Sequence, residues 1–427
     1  MVKTILKYTS LNVLGMLSIS IYILVDTLFI SNIIGPLGLA SLNLSIVIYS
    51  LITGLSLMIG IGGATLWVRT KDNQFFVTSL FLGIGVSVVM MVGGVFFTNE
   101  VVNALQANED IFDYTFMYVR TILLFSPLFV INTLLIAFVR HDKNPKLAMS
   151  AMVLSSGVNI LFDFLFMVVF KMGMFGAALA TSVAPIGSLL LLSTHFILNR
   201  NHRLGFKKMV LKISDFGRII SSGIASFVNE SSQALTLFLF NIVILSIHGN
   251  QGLGAYGIVA NISLILFAIM TGIGQGIQPI IGKYIRKNEI ENAIKTINIT
   301  LKLAGSFSLM FYVIILFFNE SIIGLFTNDQ AIQHLAKKAM SIYFSGLLFA
   351  SVNVVVGLSF NVMGQSKKAF IISIMRGFVL IIPSLFILSR LFGYIGVFIS
   401  FVLTEGLVSV LALSFFKKNT IGINQSL

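Results

Sequence analysis

The 427-residue chain has no cysteine, which excludes disulfides, thiolate nucleophiles and Cys-ligated metal centres. Its five histidines (His141, His195, His202, His248 and His334) are scattered toward loops and span ends without metal-ligand spacing, and they read as solvated loop residues. Charge is also scarce. Only 10% of residues are Asp, Glu, Lys or Arg, against about 25% in ordinary globular chains. No soluble domain or phosphate-binding loop can be drawn. The glycine runs near Gly60 and Gly274 fail as a GxGxxG motif because no strand precedes them.

What the chain does have is apolar length. Hydrophobic residues make up 57% of it, and the mean hydropathy is +0.99. Stretches long enough to cross a bilayer recur from end to end. Backbone groups in hydrocarbon must satisfy one another, so such segments are helices or a closed barrel, and their length without strict alternation excludes the barrel. The expected fold is an all-α integral membrane protein. Its twelve spans fall near 11–31, 40–66, 75–98, 116–140, 147–170, 174–198, 216–247, 252–281, 296–319, 338–363, 369–391 and 394–416. The first run lacks a convincing cleavage site and carries Asp26, so it reads as a retained helix rather than a signal peptide.

The net charge of +13 is a matter of topology. With the N-terminus inside, 21 of the 28 Lys and Arg fall on cytoplasmic segments, five on outer ones (Arg120, Lys171, Lys337, Lys338, Arg390) and two, Lys302 and Arg376, within spans. The outer loops carry acids such as Glu109, Asp110 and Asp113. This asymmetry follows the positive-inside rule, places both termini in the cytoplasm and argues against a nucleic-acid partner.

Asp163 stands among Leu161, Phe162, Phe164 and Leu165, with Asn159 one helical turn before it. An ionisable group inside a membrane helix marks a functional site by default. Internal repetition adds a second signal. Gly35-Pro-Leu-Gly38-Leu39 returns as Gly249-Asn-Gln-Gly252-Leu253, 214 residues on. LMIGIGGATLWVRTKDN from Leu57 resembles IGQGIQPIIGKYIRKNE from Ile273, and NPKLAMSAMVL from Asn144 lies opposite SKKAFIISIMR from Ser366. These landmarks predict two pseudo-symmetric six-helix bundles, 1–198 and 216–427, joined by a basic cytoplasmic linker at 199–215. Six spans return the chain to its starting side, so the halves share one orientation, as in parallel-repeat transporters that bind substrate between rocking halves.

These segments resemble the multidrug and toxic compound extrusion (MATE) family. In the first half the likeness rests on IYILVDTLFISNIIGPLGLASLNL, GLSLMIGIGGATL and FVRHDKNPKLAMSAMVLSSGVNILFDFLFM. In the second it rests on VNESSQALTLFLFN, GAYGIVANISLILFAIMTGIGQGIQPIIGKY and FNVMGQSKKAF. It covers nearly the whole chain. One departure is His141-Asp142-Lys143-Asn144, where a glycine-containing loop is usual.

Helix geometry puts Asp26, Asp163 and Thr181 roughly 8–11 Å below the outer ends of spans one, five and six, at ~1.5 Å per residue. Asn159 shares a face with Asp163. The resemblance implies that Asp26, Asn159, Asp163 and Thr181 occupy the family's cation-site positions, and that they would ligate a metal ion if the coupling ion is sodium. Physically, two neighbouring carboxylates in low dielectric can share a proton, or the oxygens can replace a sodium ion's hydration shell. Asp26 and Asp163 are the expected coupling pair.

In the second half, Arg376 is a candidate partner for Glu405. Glu230, beside Asn229, Ser231, Ser232 and Gln233, has no evident basic partner and is expected in the substrate cavity. Gln275 and Gln278, beside Pro279, either line that cavity or mark a bend. Gly60, Gly62, Gly63, Gly272, Gly274 and Gly276 are expected to permit close helix packing.

The expected activity is a proton- or sodium-coupled antiporter that exports amphipathic, often cationic compounds. It would be a non-enzyme without cofactor beyond the coupling ion. Its expected partners are small-molecule substrates and the lipid bilayer, and it would be a monomer in a bacterial plasma membrane. A flippase for a lipid-linked precursor is the alternative, disfavoured because the unpaired intramembrane charges are acidic. An intramembrane transferase would need clustered acids or a His at a membrane face, which the chain does not supply.

Overall fold

A computed structural model describes residues 1–198, 203–205, 212–327 and 329–424. Every regular element among them is helical. Span 1 is Val2–Ile33, span 2 Pro36–Thr70, span 3 Gln74–Phe96, span 5 Pro145–Val169, span 6 Gly173–Ile197, span 9 Ile290–Gly324 and span 10 Gln330–Val362. Span 4 is a bent pair, Glu109–Leu124 and Ser126–His141, meeting at 53°. Pro127 lacks the N–H that would continue the ladder there, and Leu128 N turns back to Phe125 O at 2.9 Å.

Two helices are too long to be single spans. Ile213–Arg286 has 74 residues, roughly 110 Å of helix against a hydrocarbon core of about 30 Å. It breaks at Gly249 (φ 58°, ψ −150°), a conformation closed to L side chains, and so supplies spans 7 and 8. Ser366–Lys417 breaks in the same way at Gly393 (φ 58°, ψ −136°) into spans 11 and 12. The described residues therefore carry twelve spans.

The backbone repeats along with the sequence. Left-handed turn residues pair as Gly35 with Gly249, Lys71 with Asn288, Lys143 with Gly364, and Gly173 with Gly393. Spans 5 and 11 each contain a wide turn, Phe164–Val169 and Met375–Val379, closed by i→i−5 bonds from Phe170 N to Leu165 O (2.8 Å) and from Leu380 N to Met375 O (3.0 Å). Such π-turns concentrate at functional sites. One follows Asp163 directly and the other holds Arg376.

By contact, the chain divides into two compact units. The first is Ser10–Ser231; the second is Met1–Thr9 with Ser232–Leu427. Of the expected linker, residues 199–202 and 206–211 lie outside the described residues. Small residues allow close helix contacts within each unit. In the first unit, span 2 meets the start of span 7 so closely that a Cβ on Gly62 would lie 3.0 Å from Gly223 N, and one on Gly223 would strike the Met58 backbone. Thr65 Oγ1 and Ser222 Oγ share a hydrogen bond of 2.9 Å at this contact. In the second unit, a Cβ on Gly276 would lie 2.8 Å from Thr9 Cα. Both contacts are backbone to backbone, the close approach that glycine permits.

Two of the five histidines are not solvated, contrary to the sequence expectation. His141 and His195 are buried. His195 Nε2 lies 3.0 Å from Asp142 Oδ2, which also accepts from Arg203 N at 2.8 Å. Asn144 caps span 5 by accepting from Leu147 N, and it also reaches His195 Nδ1 at 3.3 Å. The turn at His141–Asn144 thus ends its helices on polar side chains, which buries their polar ends together. His248 and His334 are exposed, and His202 lies outside the described residues.

Candidate functional site

Asp163 ends the regular part of span 5, just before its π-turn, and is fully buried. Asn159, one turn earlier and on the same face, links it to span 6. With the amide nitrogen toward the carboxylate, Asn159 donates to Asp163 Oδ2 at 3.1 Å, and its oxygen accepts from Thr181 Oγ1 and N at 3.3 Å. That orientation satisfies both ends of the amide. Asp26, on span 1, is buried too and lies within electrostatic reach of Asp163. The structure therefore brings Asp26, Asn159, Asp163 and Thr181 together inside the first unit.

This cluster is short of hydrogen-bond donors. Asp26 Oδ1 and Asp163 Oδ1 are buried without a hydrogen-bond partner, and no Lys or Arg pairs with either among the described residues. Leaving a buried carboxylate oxygen unpaired costs about 1–3 kcal/mol or more. A proton or a hard cation would remove that cost, and an all-oxygen donor set suits either. In the same unit Ile30, Tyr118, Met167, Met174, Ala177 and Ala178 belong to one buried hydrophobic cluster.

Three tyrosines in this region were not among the sequence candidates. Tyr118 of span 4 lies close to Thr181, Asp26 and Asp163. Tyr22 and Tyr49 join hydroxyls at 2.9 Å. Tyr22 carried a usable signal, since it sits four residues before Asp26 on one helix face. Tyr49 and Tyr118 carried none, because spans 2 and 4 are placed beside span 1 by packing alone.

The second-half acids separate cleanly. Glu405 is buried and saturated: Arg376 Nε donates to Oε1 at 2.5 Å, and Asn353 Nδ2 donates to Oε2 at 2.7 Å and to the Glu405 carbonyl at 3.0 Å. Arg376 also lies over the Phe267 ring at 5.2 Å. Glu230 is half-buried and has no ion-pair partner among the described residues. Contact assigns it to the first unit, with Tyr49 in its field. Gln275 and Gln278 lie buried in the second unit, where Gln278 Nε2 reaches Leu358 O at 3.3 Å.

A family model described as MatE matches residues 13–165 and again 225–387, one stretch in each half of the repeat. The chain belongs to the MatE family. Among MatE relatives, the multidrug export protein MepA of Staphylococcus aureus is 24% identical over 421 residues, spanning 96% of this chain and 92% of that one. MepA of Staphylococcus saprophyticus is 24% identical over 425 residues with the same coverage. An outward-facing structure of a multidrug resistance MATE family transporter superposes with a TM-score of 0.92 at 20% identity, covering 99% of this chain and 96% of that one. The MATE multidrug transporter DinF-BH gives 0.89 at 26% identity, covering 97% and 95%. The fold of this MatE chain is thus the twelve-helix membrane architecture of those transporters.

Proposed function

We propose that this protein is a cation-coupled exporter of amphipathic, often cationic compounds. In this reading a proton or sodium ion enters at Asp26 and Asp163 while substrate leaves, and the halves 1–198 and 216–427 alternate access around the substrate. The observation that carries it is the pair of buried carboxylate oxygens, Asp26 Oδ1 and Asp163 Oδ1, left without donors in a cluster that Asn159 and Thr181 complete. A group that must bind and release an ion at each cycle has to lack a permanent counter-charge; Glu405, saturated by Arg376 and Asn353, has one. The likeness to the multidrug export protein MepA and to the multidrug transporter DinF-BH supports multidrug export as the task.

Loading removes one negative charge from the cluster and unloading restores it, which biases two conformations by the ion's differential affinity for them. One pH unit across the membrane supplies about 1.4 kcal/mol per proton, equivalent to a roughly tenfold gradient of a neutral substrate.

The test is transport of a fluorescent cation in proteoliposomes under imposed pH or sodium gradients. Asp26→Asn and Asp163→Asn are expected to abolish uphill export while leaving a folded protein. Export at the parent rate in either variant would remove that residue from the coupling role.

A further inference from the structure

The start of span 7 forms a groove with spans 2 and 3, all inside the first unit. Spans 2 and 7 run antiparallel there: Gly54 meets Phe227, Met58 meets Gly223, and Thr65 Oγ1 bonds Ser222 Oγ at 2.9 Å. One turn further along this seam stand Arg69 on span 2 and Arg218 on span 7, so helix register brings two guanidinium groups together. Arg218 lies within electrostatic reach of Arg69 and stacks over the Phe75 ring of span 3 at 4.7 Å. The acids beside them are already engaged. Asp215 Oδ1 accepts from Arg218 Nη1 at 3.2 Å and its Oδ2 from Gln74 Nε2 at 2.5 Å, while Asp72 Oδ1 accepts from Gln74 N at 2.9 Å. Arg69 has no ion pair among the described residues, and its Nε is buried without a hydrogen-bond partner.

Behind these cations the groove is apolar. A cavity of about 540 Å³ is lined by Leu55, Leu82, Gly85, Val86, Val89 and Phe216 among others, and no polar side chain contributes to it. A Cβ built on Gly85 meets nothing within 4 Å, and Phe81 and Val89 at the rim are 54% and 72% exposed. Leu55 lies about four turns from Arg69 on one face of span 2, and Val89 about four from Phe75 on one face of span 3. The groove thus follows roughly 20 Å of helix from the arginines inward, comparable with the ~15 Å of hydrocarbon in one leaflet.

Charge at one end and hydrocarbon along the rest select the occupant. A guanidinium pairs with phosphate oxygens in a bidentate fork, and two like charges held side by side favour an anion between them. A cationic compound is repelled at this mouth, and a neutral hydrocarbon has no use for it. The positive-inside rule puts this end of the bundle in the cytoplasm, beside the leaflet that carries anionic lipid. We propose that the groove between spans 2, 3 and 7 binds one anionic phospholipid of the cytoplasmic leaflet, with its phosphate on Arg69 and Arg218 and one acyl chain in the cavity at Gly85. The lipid would tie the start of span 7 to spans 2 and 3, independently of Asp26 and Asp163.

The test is native mass spectrometry of the full chain released from detergent, titrated with dioleoyl phosphatidylglycerol, with dioleoyl phosphatidylcholine and with glycerol phosphate. Two cations at the membrane surface are together expected to favour phosphatidylglycerol over phosphatidylcholine roughly 30-fold for the first bound lipid. Arg69→Gln with Arg218→Gln is expected to bring that preference within about twofold. Gly85→Leu fills the cavity and is expected to weaken phosphatidylglycerol roughly tenfold with both arginines in place. It also carries the test if the arginine variant does not fold, as judged by thermal melting. Equal affinity for the two lipids in the parent overturns the proposal, as does a preference that survives in the folded arginine variant. Parent affinity in Gly85→Leu overturns it too, because the chain would then lie elsewhere. Glycerol phosphate binding as tightly as phosphatidylglycerol would assign the arginines to a soluble phosphate, and the lipid site would fall.

Discussion

Arg376 donates from Nε to Glu405 Oε1 at 2.5 Å across spans 11 and 12, with Glu405 buried, Arg376 mostly so, and Asn353 of span 10 on the other carboxylate oxygen. Three helices of the second unit thus converge on one carboxylate. Asp163, equally buried, has a free oxygen. The same residue chemistry therefore reads as a clamp in one unit and as a loading site in the other, and donor count makes the difference.

Breaking the clamp strands a buried charge, which typically costs 3–5 kcal/mol. Arg376→Ala or Glu405→Gln is therefore expected to lower the melting temperature and yield of detergent-purified protein sharply. The double variant Arg376→Met with Glu405→Gln should recover much of the loss. Asp163→Asn, which removes a charge that has no counter-charge, is expected to melt at or above the parent temperature.

Asn159 and Thr181 orient the Asp163 carboxylate through bonds of 3.1 and 3.3 Å. Removing one partner of a buried hydrogen bond costs about 1–3 kcal/mol. Asn159→Ala removes a donor that favours the ionised carboxylate, so proton-driven export is expected to be half-maximal at a roughly ten- to hundredfold lower proton concentration, read from initial rates across a pH series. Thr181→Ala should shift it in the same direction and by less, because the Asn159–Asp163 bond survives.

Backbone contact at Gly223 and Gly276 leaves no room for a methyl, whereas Gly85 and Gly93 have nothing within 4 Å of a built Cβ. Gly223→Ala and Gly276→Ala are each expected to destabilise by about 1–3 kcal/mol through forced separation of helices. Gly85→Ala and Gly93→Ala should be neutral or stabilise by up to about 1 kcal/mol. Thermal unfolding of the four variants separates the two classes.

Lys143 holds φ +67° where its repeat partner, Gly364, holds +79°. A side chain in that left-handed region costs roughly 1–2 kcal/mol. Lys143→Gly is expected to raise the melting temperature slightly, and Gly364→Ala to lower it. Transport by Lys143→Gly should match the parent, since the turn lies far along the chain from the acids.

The sequence by itself determined everything that follows from solvent and from local spacing. Apolar length demanded membrane helices, because hydrocarbon offers the backbone no other partner. Four-residue spacing put Asn159 beside Asp163, and glycines at matching offsets marked the turns that repeat in both units. Side-chain pairs from distant spans needed the tertiary structure, because packing rather than spacing sets which faces meet. It brought Tyr118 to Thr181 and Tyr49 to Tyr22, and it buried His195 against Asp142 where solvent was expected. It also supplied Glu405 with a donor on each carboxylate oxygen while leaving Asp26 and Asp163 each with an unpaired one. A carboxylate looks the same in any sequence; the donors that surround it, contributed by other helices, decide whether it holds a fold together or waits for an ion.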